Sequence, residues 1–443
     1  MDIYKTRKLT GPVNINVEVP GSKSITNRAL LLAAMGNGRT TLKGVQFSED
    51  SYNFLEAIKA LGFKTETDKD SCTVKIEGMS GKIPLKEAVV YVGSAGTAAR
   101  FLTAFAATSD GSYTITCSEQ MQKRPISELL EALEELGTEF KWLGSRYHFP
   151  VKIIGIRNPY NRNNIDAIRQ DIIVPDRNIE LNADRSSQFL SALLMTAPVL
   201  LNSLTIQLTG KKDVMPYVRI TEQMMKQFGY AGVERYGKNC YKVFEGSYNI
   251  EEYQVEPDVS AACYFYAMAA VTGGTAVVRH IRKDSLQGDM EFIDVLEEMG
   301  CRKEWDSNGE LKLYAPEDRK LKGIDINMAG FSDQALTLAA IAPFAETPVT
   351  IRGVKHIREQ ESDRIKVIVN ELGRMGIKCD EFEDGVKIYP GKPEPARIKT
   401  YNDHRAAMAF TITGMAAGGI EIEDPLCCNK TFEGYFDIVD SLY

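Results

Sequence analysis

Six stretches of this chain are apolar at almost every position and read as helices: Ala29–Met35, Ala98–Ala107, Phe189–Ala197, Ala261–Val271, Ala335–Ala345 and Ala406–Ala417. A helix that is apolar all round has no face to offer water. Each must be enclosed by other elements, and six of them call for sheets as the enclosing walls.

The segments entering these helices have the opposite character. They read Lys23-Ser24 with Arg28, Ser94-Ala95-Gly96-Thr97 with Arg100, Arg185-Ser186-Ser187-Gln188, Glu256-Pro257-Asp258-Val259-Ser260, Ser332-Asp333-Gln334 and Asn402-Asp403-His404-Arg405. Ser, Asp and Asn there account for themselves as N-caps. Arginine or lysine does not, because the positive end of the helix dipole disfavours a cation, and yet one appears in four of the six. Cations at such a place are expected to be joined by an anion, held by backbone N–H groups and the added charge together. The first copy is not a Walker loop, since the glycine spacing is missing and the lysine comes too early.

A second set of helices is amphipathic and stops at glycine: Phe54–Leu61 before Gly62, Leu129–Leu136 before Gly137, Met224–Phe228 before Gly229, Val295–Met299 before Gly300 and Arg374-Met375 before Gly376. The glycines suit left-handed C-caps and recur at about 70–90 residues, too long for a solenoid repeat. The pattern is of small βαβαββ units. Six units divide into two groups of three, giving an α/β (α+β) fold with one domain from residues 1–20 plus 256–443 and another from 21–255. In this reading the N-terminal strand joins the last three units, and the helix N-termini of both groups face a shared cleft.

A net charge of −7 argues against general binding of nucleic acid or acidic membranes, so any anion site is local. Eight cysteines without a CxxC pair fit a reducing, cytoplasmic compartment better than a disulfide frame or a zinc site. The beginning of the chain lacks signal-peptide character, and no apolar run has transmembrane length without interruption.

Eight blocks in order resemble the 5-enolpyruvylshikimate-3-phosphate (EPSP) synthase family, the 3-phosphoshikimate 1-carboxyvinyltransferases. They are PGSKSITNRALLLAA at 20–34, GSAGTAARFLTA at 93–104, KRPI at 123–126, SSQFLSALLMTAP at 186–198, FSDQALTLAA at 331–340, Arg358-Glu359-Gln360-Glu361-Ser362-Asp363-Arg364, YNDHRAAMAF at 401–410 and DPLCCNKTF at 424–432. The resemblance implies a two-domain inverse α/β barrel, each domain built of three βαβαββ units. It also implies transfer of the enolpyruvyl group of phosphoenolpyruvate (PEP) to the 5-hydroxyl of shikimate 3-phosphate, with release of phosphate through a tetrahedral intermediate. No metal or other cofactor is implied, and a monomer is expected.

By position in the family's motifs, Lys23, Ser24, Arg28, Ser186, Ser187, Gln188, Tyr217, Asp333, His356 and Gln360 are expected to meet shikimate 3-phosphate, with Arg28 as a bidentate clamp. Lys23, Gly96, Arg124, Gln188, Arg364, Arg405 and Lys430 are expected around PEP, where Gly96 would let the backbone come close. The implied catalytic set is Asp333 as base toward the 5-hydroxyl, Glu361 as acid toward the methylene carbon, and Lys23 between the substrates.

The chain departs from the family's usual pattern at several places. Gln360 stands where lysine is usual, His356 where asparagine is common, Ser94 replaces the asparagine of the NAGT block, Val214 takes the place of a serine, and Phe101 that of a proline. Gln360 cannot titrate, so the usual lysine's part in proton transfer would fall to Glu361, Asp333 or a neighbour, and His356 could compensate by donating to the substrate ring. Three alternatives stay open. A binding protein without turnover would follow if the departures were disabling. The sister enzyme acting on UDP-N-acetylglucosamine shares the fold, but carries Lys-Asn at Lys23-Ser24 and a loop cysteine where Glu119 stands, with Cys117 out of register. Cyclases of RNA ends are more remote, given the acidic balance.

Overall fold

Enclosure of apolar helices is the organising fact of the computed structural model, which describes residues 2–163, 177–199, 203–210, 215–307 and 309–443. The helices Lys23–Met35, Gly96–Ala107, Ser187–Thr196, Val259–Thr272, Ala335–Ile341 and His404–Ala417 are buried along nearly their whole length. Each buried Leu, Ile or Phe in them contributes about 1.5–3 kcal/mol. Hydroxyls inside these helices do not break the arrangement, because they bond to carbonyls one turn back. Thr103 donates to Ala99 O at 2.6 Å, Thr196 to Ala192 O at 2.8 Å and Thr411 to Ala407 O at 2.8 Å.

Among the described residues the sheets are mixed, five of four strands and one of three. In the sheet of Glu87–Tyr91, Ser112–Thr116, Glu139–Trp142 and Val151–Ile154, the first two strands are parallel and the last two form an antiparallel hairpin whose second strand pairs with the second. The parallel step is bridged by the buried helix Gly96–Ala107, and the amphipathic helix Ser127–Glu135 leads into the hairpin. The same strand order recurs in the other four-stranded sheets.

Chain contacts group the protein into two units, Met1–Ser22 with Glu256–Tyr443, and Lys23–Val255. Three sheets borrow a strand from a distant part of the chain. Glu252–Gln254 pairs in parallel with Asn37–Lys43, Asn14–Val17 with Thr275–Arg282, and Ile3–Lys5 runs antiparallel to Ile420–Glu423. The N-terminal segment thus supplies two strands, not the single one expected, because the last repeat has no hairpin of its own to complete its sheet. The two connecting segments run side by side: Ser22 N donates to Glu256 O at 2.7 Å and Asp258 N to Pro20 O at 2.8 Å.

Gly62, Gly137, Gly229, Gly300 and Gly376 all have positive φ, between +75° and +109°. At Gly62 an added Cβ would also stand 2.8 Å from Leu85 Cγ, so both the turn and the packing require glycine. No helix among the described residues is long and apolar enough to cross a membrane.

Candidate active site

In the unit of Met1–Ser22 and Glu256–Tyr443, the starts of three helices converge through Arg364. Asp363 caps Arg364–Arg374 by accepting from Lys366 N at 3.1 Å, and Asp403 caps His404–Ala417 by accepting from Arg405 N at 3.0 Å. These caps fix where the next side chains stand. Arg364, 2% exposed, donates from Nε to Asp403 Oδ2 at 2.8 Å, from Nη1 to Asp333 Oδ1 at 3.0 Å and from Nη2 to Glu361 Oε2 at 2.7 Å. It also donates to Gln360 Oε1.

Two further cations complete the cluster. Arg405 Nη2 donates to Asp333 Oδ2 at 2.8 Å, and Lys430 Nζ lies 3.3 Å from Glu361 Oε1. Burial would lower the Arg364 pKa, but the charges of Asp403, Glu361 and Asp333 outweigh it and raise it. For Asp403, burial disfavours the ionised form, and the Arg364 charge overrides burial to hold the carboxyl below its ordinary value.

Glu361, Asp403 and His404 bring ligating atoms within 4.8 Å of one another. Arg364 bonds both carboxylates, so the charge a metal ion would neutralise is already met by a side chain. His356 Nε2 lies 2.7 Å from Ser332 Oγ, which puts this departure from the family pattern beside Asp333 in the chain.

The unit Lys23–Val255 gathers the other expected residues around Lys23–Met35, Gly96–Ala107 and Ser187–Thr196. Lys23 Nζ lies 3.3 Å from Asp50 Oδ2. Arg28, 1% exposed, gives Nε to Thr221 Oγ1 at 2.8 Å and Nη1 to Ser24 O at 2.9 Å, with Nη2 at 3.3 Å from Ser191 Oγ and 3.4 Å from Tyr217 O. Burial pushes its pKa down to about 10. Its donors thus tie three helices together, and the expected bidentate clamp is taken up by protein oxygens in this conformation.

A second arginine pair flanks Gly96. An added Cβ there would stand 2.8 Å from Arg100 Nη1 and 3.0 Å from Arg124 Nη2, so the glycine makes room for two guanidinium groups. Arg100, 1% exposed, donates to Gly96 O at 3.1 Å and to Pro125 O, while Arg124 Nη1 reaches Ser94 O at 3.3 Å. Burial first, then the Arg124 charge, press the Arg100 pKa well down. Ser186 caps its helix by accepting from Gln188 N at 3.3 Å, and among the described residues the buried Gln188 Oε1 has no hydrogen-bond partner. Asn27 Nδ2 donates to Thr97 Oγ1 at 2.6 Å and links the Lys23 and Gly96 helices. Val214 lies outside the described residues.

Several of the cations at helix starts therefore have carboxylate partners from the protein, which the sequence reading did not foresee. Asp50 and Asp403 were not singled out as partners of these cations, and Arg100 was expected to face an anion rather than the carbonyls of Gly96 and Pro125. Asp403 lies in the YNDHR block and carried a signal, but one that N-capping alone explained.

Buried helices whose first turns collect arginines, lysines and carboxylates place several cations side by side, the provision that a small, multiply anionic ligand requires. Residues 7–439 match the family described as EPSP synthase (3-phosphoshikimate 1-carboxyvinyltransferase), and the chain belongs to that family. A 3-phosphoshikimate 1-carboxyvinyltransferase of Nostoc punctiforme is 41% identical over 437 residues, covering 98% of this chain and 98% of the relative. The chloroplastic one of Arabidopsis thaliana is 37% identical over 446 residues, covering 96% and 82%. In fold, the chain is similar to EPSP synthase from Acinetobacter baumannii, with a TM-score of 0.79 at 24% identity over 100% of this chain and 98% of the other. The enolpyruvyl transferase NikO from Streptomyces tendae gives 0.75 at 14% identity, over 99% and 97%.

Proposed function

We propose that the chain transfers the enolpyruvyl (1-carboxyvinyl) group of PEP to the 5-hydroxyl of shikimate 3-phosphate and releases phosphate. This is the shikimate-pathway step toward chorismate and the aromatic amino acids. The observation that carries the reading is the seat of Asp333 between Arg364 and Arg405, with Glu361 between Arg364 and Lys430. A carboxylate held by the cations that take up an anionic substrate is released when that substrate arrives.

Arg364, Arg405 and Lys430 bind PEP, together with Arg124, Gln188 and Lys23, and Gly96 leaves the space. Ser24, Arg28, Ser186, Ser187, Gln188 and Tyr217 hold shikimate 3-phosphate, with Asp333, His356 and Gln360 at its ring. Freed of its arginines, Asp333 accepts the 5-hydroxyl proton while the oxygen attacks C2 of PEP. The methylene carbon takes a proton from Glu361. PEP on Arg364 and Lys430 absorbs the charge that otherwise favours the Glu361 carboxylate, which suits an acid in that place. Glu361, now a carboxylate, takes a proton back from the new methyl group as the C2–phosphate oxygen bond breaks, and the proton held by Asp333 leaves with phosphate, so that both groups return to their starting states. Lys23, near both substrates, stabilises the anionic leaving group.

The finer architecture belongs to the same reading: two inverse α/β barrels, residues 1–20 plus 256–443 and 21–255, meeting at a cleft that closes on the substrates and excludes water. A monomer in the cytoplasm is the working form, in keeping with eight free thiols. Supplying UDP-N-acetylglucosamine in place of shikimate 3-phosphate tests the acceptor. Turnover with the nucleotide sugar alone would replace this reading with that of the sister enzyme.

A further inference from the structure

Behind the Asp333–Arg405 pair sits a carboxyl group that the reaction as described does not use. Asp289 lies in the short 3-10 turn Gly288–Met290 and is buried. Its Oδ2 accepts from Ser260 Oγ at 2.6 Å and its Oδ1 from Gln334 Nε2 at 3.2 Å. Ser260 Oγ is itself 3.5 Å from Arg405 Nη2, the nitrogen that donates to Asp333 Oδ2 at 2.8 Å. Gln334 follows Asp333 in the chain and is fully buried. Asp289 is therefore one side chain removed from both members of the pair, on two separate routes.

We propose that Asp289 is a positioning residue for Arg405 and Asp333, and that its charge state sets how much of the Arg405 charge is left for PEP. The hydrogen bonds from Ser260 and Gln334 hold both routes in register whether or not Asp289 is ionised. Its charge acts on the pair independently. Neutral, Asp289 leaves Arg405 to Asp333 or the substrate; ionised, it is a second carboxylate competing for the same guanidinium. Burial, and next the Asp333 charge, push its carboxyl up to about 7, so both states lie within the working range. The titratable groups facing it are Asp333 from the turn before Ala335–Ile341, Arg405 from His404–Ala417, and Asp258 and Cys263 from the start of Val259–Thr272. Arg405 opposes the upward shift, and the Asp258 charge adds to it.

The inference rests on the enolpyruvyl-transfer reading and is tested on the full chain by Asp289→Asn, which imitates the neutral acid at every pH. KM for PEP is measured from about pH 6 to about pH 8 for both proteins. PEP's own ionisation affects both alike and cancels in the ratio of wild type to variant. That ratio is expected to be near one at the acid end and to rise about threefold or more through neutrality. A merely structural role would change KM by a factor independent of pH, and such a constant ratio overturns the proposal. Ser260→Ala is the second variant, in case the first does not fold. Loss of a hydrogen bond to the ionised form should move the inflection to higher pH, and an unmoved inflection counts against the proposal. An inactive wild type would sink the transfer reading itself, whereas an active one with a constant ratio sinks only this inference.

Discussion

Arg405 donates from Nη2 to Oδ2 of Asp333 at 2.8 Å, so a cation suited to PEP and a carboxylate suited to take a proton hold each other before any substrate arrives. In the proposed reaction the substrate anion replaces Asp333 on the guanidinium, and binding and the release of the base are one event.

Asp333→Asn is expected to separate the two. The amide still accepts from an arginine but cannot take the 5-hydroxyl proton, so kcat should fall about 10²–10⁴-fold. PEP, no longer competing with a charge, should bind at least as well as to the wild type when measured by equilibrium titration with shikimate 3-phosphate present. Near-normal turnover would remove Asp333 from the proton transfer.

Gly96→Ala is expected to leave the fold intact and to weaken PEP selectively. The new Cβ stands nearest to the guanidinium ends of Arg100 and Arg124, at 2.8 Å and 3.0 Å, and these side-chain ends rather than backbone must shift to admit it. Displacing them by even part of an ångström should raise KM for PEP about tenfold or more, with KM for shikimate 3-phosphate little changed. Steady-state kinetics with each substrate varied in turn checks this, and an equal rise in both constants would contradict it.

Asp403→Asn is expected to lower stability by about 3 kcal/mol at neutral pH, because the buried Arg364 loses a charged partner. The native carboxyl is held below its unfolded value, so its contribution is present in full above about 3.9 and is lost as pH falls through the folded value. Urea titrations at neutral and strongly acid pH should therefore show the gap between variant and wild type closing toward the acid end. A gap that is constant or widens there would contradict the assigned direction.

Much of the fold was legible in the sequence, because an all-apolar helix admits few surroundings. The five glycines that end the amphipathic helices were equally plain, since a left-handed cap leaves little choice of residue. The strand exchanges were legible only in part: the N-terminal strand was expected with the last three units, but neither the sheet that Asn14–Val17 completes nor the return of Glu252–Gln254 to Asn37–Lys43 is marked in the residues. At the site, motif order pointed to Arg364, Arg405, Asp333 and Glu361, which the structure brings into contact, whereas the pairing of Arg364 with Asp403, 39 positions apart, lies outside any local pattern. Arg28 and Arg100 were read as anion-facing cations because a charge at a helix start is costly. Their buried bonds to Thr221, Ser24 O, Gly96 O and Pro125 O offset part of that cost in a way no spacing reveals.

If the proposed cleft closes on its substrates, shikimate 3-phosphate should reduce the radius of gyration in small-angle scattering. An unchanged radius would point to a preformed site.

The most direct test of the whole account is a coupled assay of phosphate release from PEP. The account predicts steady release only when shikimate 3-phosphate is also present, with loss of most of it in Asp333→Asn. Binding of both compounds without phosphate release by the wild-type protein would contradict it.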